Sequence, residues 1–200
     1  MLQTRRSKPL YDGTSRPDLS ALLVDETLRR WTPDEDLAAS NPLIPRPRTD
    51  EELAEFLLDT LGVVLPSTSV CPGHSNPFAA FCDAFFARSP VTVWKASRGF
   101  GGKTFMMAAL AFAESITLRA SVSILGGSGE QAIRVHEYLR DFWRKPHAPI
   151  SVLSSDPAGK RTSLVWGNKV TALMASMAAV SGPHPQRLRI DEVDLVELKL

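Results

Sequence analysis

The sequence has few cysteines, no long apolar run and almost no net charge, and each shortage excludes a class of protein. Its two cysteines, Cys71 and Cys82, do not make a disulfide framework in 200 residues, so the thiols should be reduced. No apolar run approaches the roughly 18 residues of a membrane-spanning helix. The N-terminus, MLQTRRSKPLYDG, lacks the apolar segment of a signal peptide. We therefore expect a cytosolic protein without a membrane partner.

The net charge is only +1, from 23 basic and 22 acidic residues. A protein dedicated to nucleic acids usually carries a basic excess on one face, so a DNA partner can be inferred only from motifs. Cys71 and His74 have the spacing of half a zinc site, but the chain supplies no second pair of ligands at a suitable spacing. We expect no zinc site there.

The composition is otherwise that of an ordinary soluble protein, 44% hydrophobic and 22% charged, which allows a sizeable core in one or two domains. The first 48 residues carry six prolines among charged residues, a pattern typical of an extended arm with one short helix. Residues 49–61 begin with a capping box, Thr49 and Glu52, and continue with apolar residues at helical spacing. We expect a proline-rich N-terminal arm with short helices over residues 1–65 and a second domain over residues 66–200.

From residue 78 onward, helix and strand patterns alternate. FAAFCDAFFA predicts a buried helix, and VTVW, which is short and β-branched, predicts a fully buried parallel strand. SLVW and KVTALMA predict a hairpin around a two-residue turn, Gly167 and Asn168. This alternation predicts an α/β fold with a mostly parallel sheet flanked by helices. The predicted strands are residues 91–94, 121–126, 150–153, 163–166, 169–175 and 187–190.

Residues 95–104, KASRGFGGKT, lie between a predicted strand and a helix that starts near Lys103. The pattern GxxxxGK followed by Ser or Thr binds phosphates, because its backbone N–H groups and its lysine surround them while the hydroxyl binds Mg²⁺. Ser97 replaces the first glycine, and a residue this small is tolerable there. The predicted nucleotide-binding residues are Ser97, Arg98, Gly99, Phe100, Gly101, Gly102, Lys103 and Thr104.

Arg98 is the unusual member of this loop, since its guanidinium places a permanent positive charge where the β and γ phosphates would lie. The N–H groups of the following helix point to the same place. The alternative is an ordinary turn and helix start with an exposed lysine, because short glycine-rich motifs occur by chance. GGSGE at 126–130 is another glycine-rich turn, but a capping box of Ser128 and Gln131 explains it as a helix start.

RLRIDE at 187–192 ends a predicted strand with two adjacent carboxylates. In an NTPase, Asp191 can hold the Mg²⁺ shell while Glu192 orients or deprotonates the attacking water. An exposed acidic strand end is common by itself. Its occurrence downstream of KASRGFGGKT, in the order that such enzymes use, favours ATP hydrolysis.

Three segments together resemble the ATPase part of the large terminase subunit of tailed bacteriophages, the motor that packages DNA into procapsids. They are VWKASRGFGGKT, ILGGSGEQAIRVHEYLRDFW and ALMASMAAVSGPHPQRLRIDEVD, and the likeness covers roughly residues 70–197. The resemblance implies a P-loop NTPase fold of the ASCE type with ATP and Mg²⁺ as cofactors. It also implies that Lys103 and Arg98 contact the phosphates, that Arg98 and Glu192 are catalytic, and that Thr104 and Asp191 arrange Mg²⁺. The segment around Pro72 to Phe78 is expected near the adenine.

The resemblance further implies partners and a location. These are double-stranded DNA, the portal protein, the small terminase subunit and further copies of the chain in a ring, in the host bacterial cytoplasm and transiently on the procapsid portal. The family's nuclease domain is absent from residues 1–200, as is the strand that should insert between the acidic strand and the phosphate-loop strand. We therefore expect a truncated product whose sheet lacks an inner member and which hydrolyses ATP poorly.

Two alternatives stay open at the level of sequence. DEVD at 191–194 superficially fits the acidic box of a helicase or translocase of another P-loop superfamily. The chain could also be a truncated, non-catalytic remnant that acts as a binding module through its proline-rich arm.

Overall fold

The computed structural model of the chain describes residues 44–69, 71–96, 102–174 and 185–192. The predictions for the arm before residue 44, for the sequence after Glu192 and for five loop residues lie outside the described residues. Those loop residues are Ser97, Arg98, Gly99, Phe100 and Gly101. No helix in the described ranges is long and apolar enough to cross a bilayer.

The first two helices of the described ranges form where the sequence predicts them. Helix α1, Asp50–Leu61, is capped by Thr49, whose hydroxyl accepts from the Glu52 N–H at 3.2 Å. The Glu52 carboxylate accepts from the Arg48 N–H instead of the Thr49 N–H, so only half of the predicted capping box forms. Helix α2, Pro77–Phe85, is capped by the Asn76 side chain and buries an aromatic face.

The predicted buried strand at 91–94 is wrong. These residues form no strand, and the Val91 and Val93 residues are 74% and 78% exposed. Only Trp94 is anchored, since its Nε1 donates to the Ala80 carbonyl at 3.2 Å and its ring stacks on Phe81. A β-branched run becomes a strand only when a neighbouring strand pairs with it, and no strand in the described ranges does so.

The sheet has four strands in the order β2, β3, β1, β4. Strands β1, Val122–Gly126, and β4, Arg187–Asp191, run parallel, and β3, Lys169–Met174, is parallel to β1 on its other side. The short β2, Arg161–Ser163, pairs antiparallel with β3. The α/β prediction with a mostly parallel sheet is confirmed at this level.

The hairpin differs from its predicted form. Ser163 pairs with Lys169, so five residues separate the strands instead of the predicted two. The Asn168 side chain enters the interior and donates to the Ser115 and Ala120 carbonyls at 2.8 and 3.1 Å, a long-range contact that local turn statistics cannot anticipate. The predicted strand at 150–153 is instead a short 3₁₀ helix, Ile150–Val152, followed by one bridge between Leu153 and Leu164.

Two further helices pack against each other and against β1 and β3. Helix α3, Lys103–Thr117, is buried along its whole length from Met106 onward, and α4, Gly129–Trp143, contributes Phe142 and Trp143 to an aromatic cluster around Phe112. In β4, Arg187 and Arg189 reach α3, whereas the alternate residues Leu188 and Ile190 are about half exposed. In the described ranges, β4 has a paired neighbour only in β1.

Candidate nucleotide site

The candidate site forms where β4 ends and α3 begins. The Thr104 hydroxyl donates to the Asp191 carboxylate at 3.4 Å, although the two residues are 87 positions apart in the chain. Asp191 is 7% exposed and ends a strand that runs parallel to β1. The carboxyl ends of parallel strands are where open α/β sheets bind their ligands. The contact therefore joins the predicted phosphate loop to the predicted acidic pair.

The start of α3 has no side-chain cap among the residues that the structure describes. Gly102 is its N-cap in the left-handed conformation, φ 56°. The helix also has no acidic residue there. The first N–H groups of a helix need partners and carry partial positive charge, so a phosphate group suits this end of α3.

Lys103 connects the two ends of the loop. Its ammonium donates to the Ala96 carbonyl at 2.8 Å, across residues 97–102. A neutral carbonyl is a weaker partner for an ammonium group than a phosphate oxygen is. A phosphate oxygen bound at this loop would therefore replace the Ala96 carbonyl as the partner of the Lys103 ammonium.

Asp191 is electrostatically costly without a cation. Burial raises the pKa of its carboxyl, the neighbouring Glu192 raises it further, and the Thr104 hydroxyl and the Lys103 charge oppose the shift. The described ranges contain no cluster of three or more His, Cys, Asp or Glu side chains that could hold a metal ion by themselves. A carboxylate beside a hydroxyl fits Mg²⁺, which takes few protein ligands and completes its shell with phosphate oxygens and water.

Glu192 is held by the start of α4. The Gln131 side-chain amide donates to Glu192 Oε2, while Gln131 Oε1 accepts from the Ser128 N–H at 2.8 Å. The backbone of Glu192 has φ 51°, a left-handed conformation that is uncommon outside glycine and concentrates at functional sites. One Glu192 oxygen is thus bound, and the side chain has a defined position.

The predicted capping box at Ser128 and Gln131 is confirmed, but the contact of Gln131 with Glu192 was missed. The available signal was that β1 and β4 both end at this edge of the sheet, with Gly126 opposite Asp191. Gly126 makes this turn possible, because a Cβ there would lie 2.5 Å from the Ala132 nitrogen. Because Gly126 has no Cβ, α4 can start directly after the end of β1.

Of the predicted site residues in the described ranges, Thr104 and Asp191 are in contact, and Gly102, Lys103 and Glu192 flank them in the chain. An adenine near residues 72–78 stays a prediction. No protein-family model, curated protein or solved structure matches the chain.

Proposed function

We propose that the chain is a P-loop ATPase module that binds ATP and Mg²⁺ between the start of α3 and the end of β4. The observation that carries the proposal is the contact between Thr104 and Asp191, because it joins the two motifs that an NTPase requires. The N-terminus of α3 and the position of Lys103 add to it.

Each residue then has one role. Lys103 and the first N–H groups of α3 bind the phosphates, and Arg98 adds charge to the same loop. Thr104 and Asp191 would hold Mg²⁺, which when bound polarises phosphate oxygens as a Lewis acid. Glu192 orients the attacking water with the carboxylate oxygen that Gln131 leaves free.

At the level of the whole protein, we propose DNA packaging by a terminase-like motor. The proposal rests on the loop with Arg98, on the strand that ends in Asp191 and Glu192, and on the pairing of β1 with β4. Double-stranded DNA, a portal protein, a small terminase subunit and a ring of copies are the partners that this function implies. The cytoplasm of the bacterial host, and transiently the portal of the procapsid, are the corresponding locations.

Nucleotide binding by calorimetry tests the first step, using Lys103→Ala and the control Lys95→Ala. Lys95 is exposed and precedes residues 97–102 in the chain, whereas Lys103 follows them. We expect Lys103→Ala to weaken Mg²⁺-ATP binding about 100-fold or more, since it removes a charge-assisted bond to phosphate, and Lys95→Ala to change it little. Equal effects of the two substitutions, or no binding by the unmodified chain, would contradict the proposal.

Hydrolysis with and without double-stranded DNA tests the second step. Glu192→Gln should keep Mg²⁺-ATP binding and lose turnover, because the amide cannot accept a proton from water. The unmodified chain should turn over slowly. Normal turnover in Glu192→Gln would show that another residue is the base, and binding without any turnover would favour a non-catalytic binding module.

A further inference from the structure

A buried charge cluster joins α3 to β4 away from the candidate site. Glu114 is fully buried, and its Oε1 accepts from Arg187 Nε at 3.1 Å and from the Arg189 guanidinium. The two arginine side chains are 14% and 19% exposed. The cluster therefore holds three charged groups in or near the core.

Stability alone does not explain this cluster. Glu114 Oε2 and Arg189 Nε have no hydrogen-bond partner in the described ranges, so part of the desolvation cost is not recovered. Well-packed apolar residues often replace a buried ion pair without loss of stability. A role in positioning the two elements that the cluster joins explains it better.

The cluster and the candidate site join the same two elements at different heights. Thr104 and Glu114 are about 15 Å apart along α3, by the rise of 1.5 Å per residue. Arg187 and Asp191 are about 13 Å apart along β4, at 3.3 Å per residue. Two contacts at this separation fix both the axial position and the tilt of the helix relative to the strand.

The apolar packing of α3 relates it most directly to α4. Its large buried side chain Phe112 packs on Phe142 and Trp143 of α4, and interdigitation of large side chains is what normally fixes helix packing. The ion pairs of Glu114 with Arg187 and Arg189 join α3 to β4 instead. The charge cluster therefore adds a contact that relates the axial position of α3 to β4.

We propose that Glu114 is a positioning residue that, with Arg187 and Arg189, sets β4 against α3 and so sets the spacing of Asp191 and Thr104. The consequence for Mg²⁺ rests on the proposed ATPase function. The positioning of β4 does not depend on it.

The test compares three variants of the full chain. Glu114→Gln removes the shared acceptor's charge. Because this change leaves two buried cations and could unfold the chain, a second variant changes Glu114, Arg187 and Arg189 together to Met. Asn168→Ala is the control, since it removes buried bonds to the end of α3 without touching β4.

Two measurements are made on each folded variant: amide hydrogen exchange of residues 187–191, with β1 as the reference, and the Mg²⁺ concentration at half-maximal ATP binding. We expect the triple Met variant to keep its thermal stability while β4 exchanges about tenfold faster. The Mg²⁺ midpoint should rise about tenfold, the lower end of the effect of residues that orient metal ligands. Asn168→Ala should lower stability and leave the Mg²⁺ midpoint and the exchange of β4 relative to that of β1 unchanged.

Unchanged β4 exchange in the triple Met variant would overturn the proposal and make the cluster an ordinary ion pair. A selective increase of β4 exchange over β1 exchange in Asn168→Ala as well would overturn it too, because loss of any buried bond to α3 would then suffice. If the unmodified chain binds no ATP at any Mg²⁺ concentration, the ATPase proposal fails, and β4 exchange alone still decides the role of Glu114.

Discussion

At the scale of single residues, Asp191 combines burial with an adjacent negative charge, and both raise the pKa of its carboxyl. A raised pKa means that the folded state disfavours the ionised form, so the charge at pH 7 lowers the free energy of unfolding. Asp191→Asn should therefore stabilise the nucleotide-free chain. A gain on the order of 1 kcal/mol would raise Tm by roughly 2 to 4 °C.

The same substitution should remove the Mg²⁺ dependence of ATP binding. The stability gain should shrink as the pH falls through the raised pKa of Asp191 toward the ordinary range of aspartate, because the folded, unmodified chain then takes up the proton and loses the unfavourable charge. Asp156→Asn, at an exposed aspartate, is the control and should leave Tm unchanged. A lower Tm for Asp191→Asn at pH 7 would show that the charge is already compensated.

His136 gives the chain an acid sensitivity of its own. It is fully buried, its Nε2 lies 3.1 Å from the Thr162 hydroxyl, and burial together with the Arg140 charge lowers its pKa to about 4, against a weaker opposing contact with the Gly159 backbone. The unfolded chain takes up this proton near pH 6.5 and the folded chain only near pH 4. Stability should be complete above pH 6.5 and fall by on the order of 3 kcal/mol toward pH 4.

Urea unfolding at pH 7, 6 and 5 measures this effect. His136→Gln should flatten the pH dependence, although it lowers stability at pH 7, and the exposed His147 offers the matched change His147→Gln, which should leave the slope unaltered. Parallel slopes for both variants would assign the acid sensitivity to other groups.

The candidate site was predictable to the extent that it depends on local pattern. Gly102, Lys103 and Thr104 match the end of the phosphate-loop pattern, and Asp191 with Glu192 matches the acidic pair expected beside such a loop. The contacts of Gln131 with Glu192 and of Glu114 with Arg187 could not be predicted, because each joins elements that are distant in sequence. The sequence around Glu114 contains no motif that indicates a buried carboxylate or its arginine partners.

At the scale of elements, the start of α4 serves both its helix and Glu192. Ser128→Ala and Gln131→Ala should each lower the free energy of unfolding by about 1 kcal/mol, the usual effect of losing a cap. Only Gln131→Ala should also release Glu192. The carboxyl carbon resonance of Glu192 should therefore shift in Gln131→Ala and stay in place in Ser128→Ala. A shift in both would mean that the helix start as a whole, and not the Gln131 amide, holds the carboxylate.

Three of the helices that the sequence predicts correctly have a capping residue in the chain itself. Thr49, Asn76 and Ser128 each cap a helix. VTVW fails because a strand is defined by its neighbour, and no local signal reports whether that neighbour is present. The hairpin turn fails because Asn168 is drawn inward by carbonyls near residue 115.

At the scale of the molecule, β4 lies at the edge of the sheet in the described ranges and pairs only with β1. Residues 91–94, which the sequence predicts to be a strand of the same sheet, form no strand. Half-exposed Leu188 and Ile190 lie on β4, and exposed Val91 and Val93 lie on the segment 91–94. The expectation that an inner member is missing between the acidic strand and the phosphate loop stays a prediction.

Helix α3 is both the centre of the core and the start of the candidate site, since its side chains are buried from Met106 to Thr117 and Thr104 lies in its first turn. Such an element cannot open locally without loss of the core, so the part of the site that α3 contributes should melt together with the fold. Ligand binding is then linked to global unfolding, and at 100 times its dissociation constant a nucleotide would add about 2.7 kcal/mol to the whole molecule. The Tm of the chain would then report the fraction of candidate sites that hold a nucleotide.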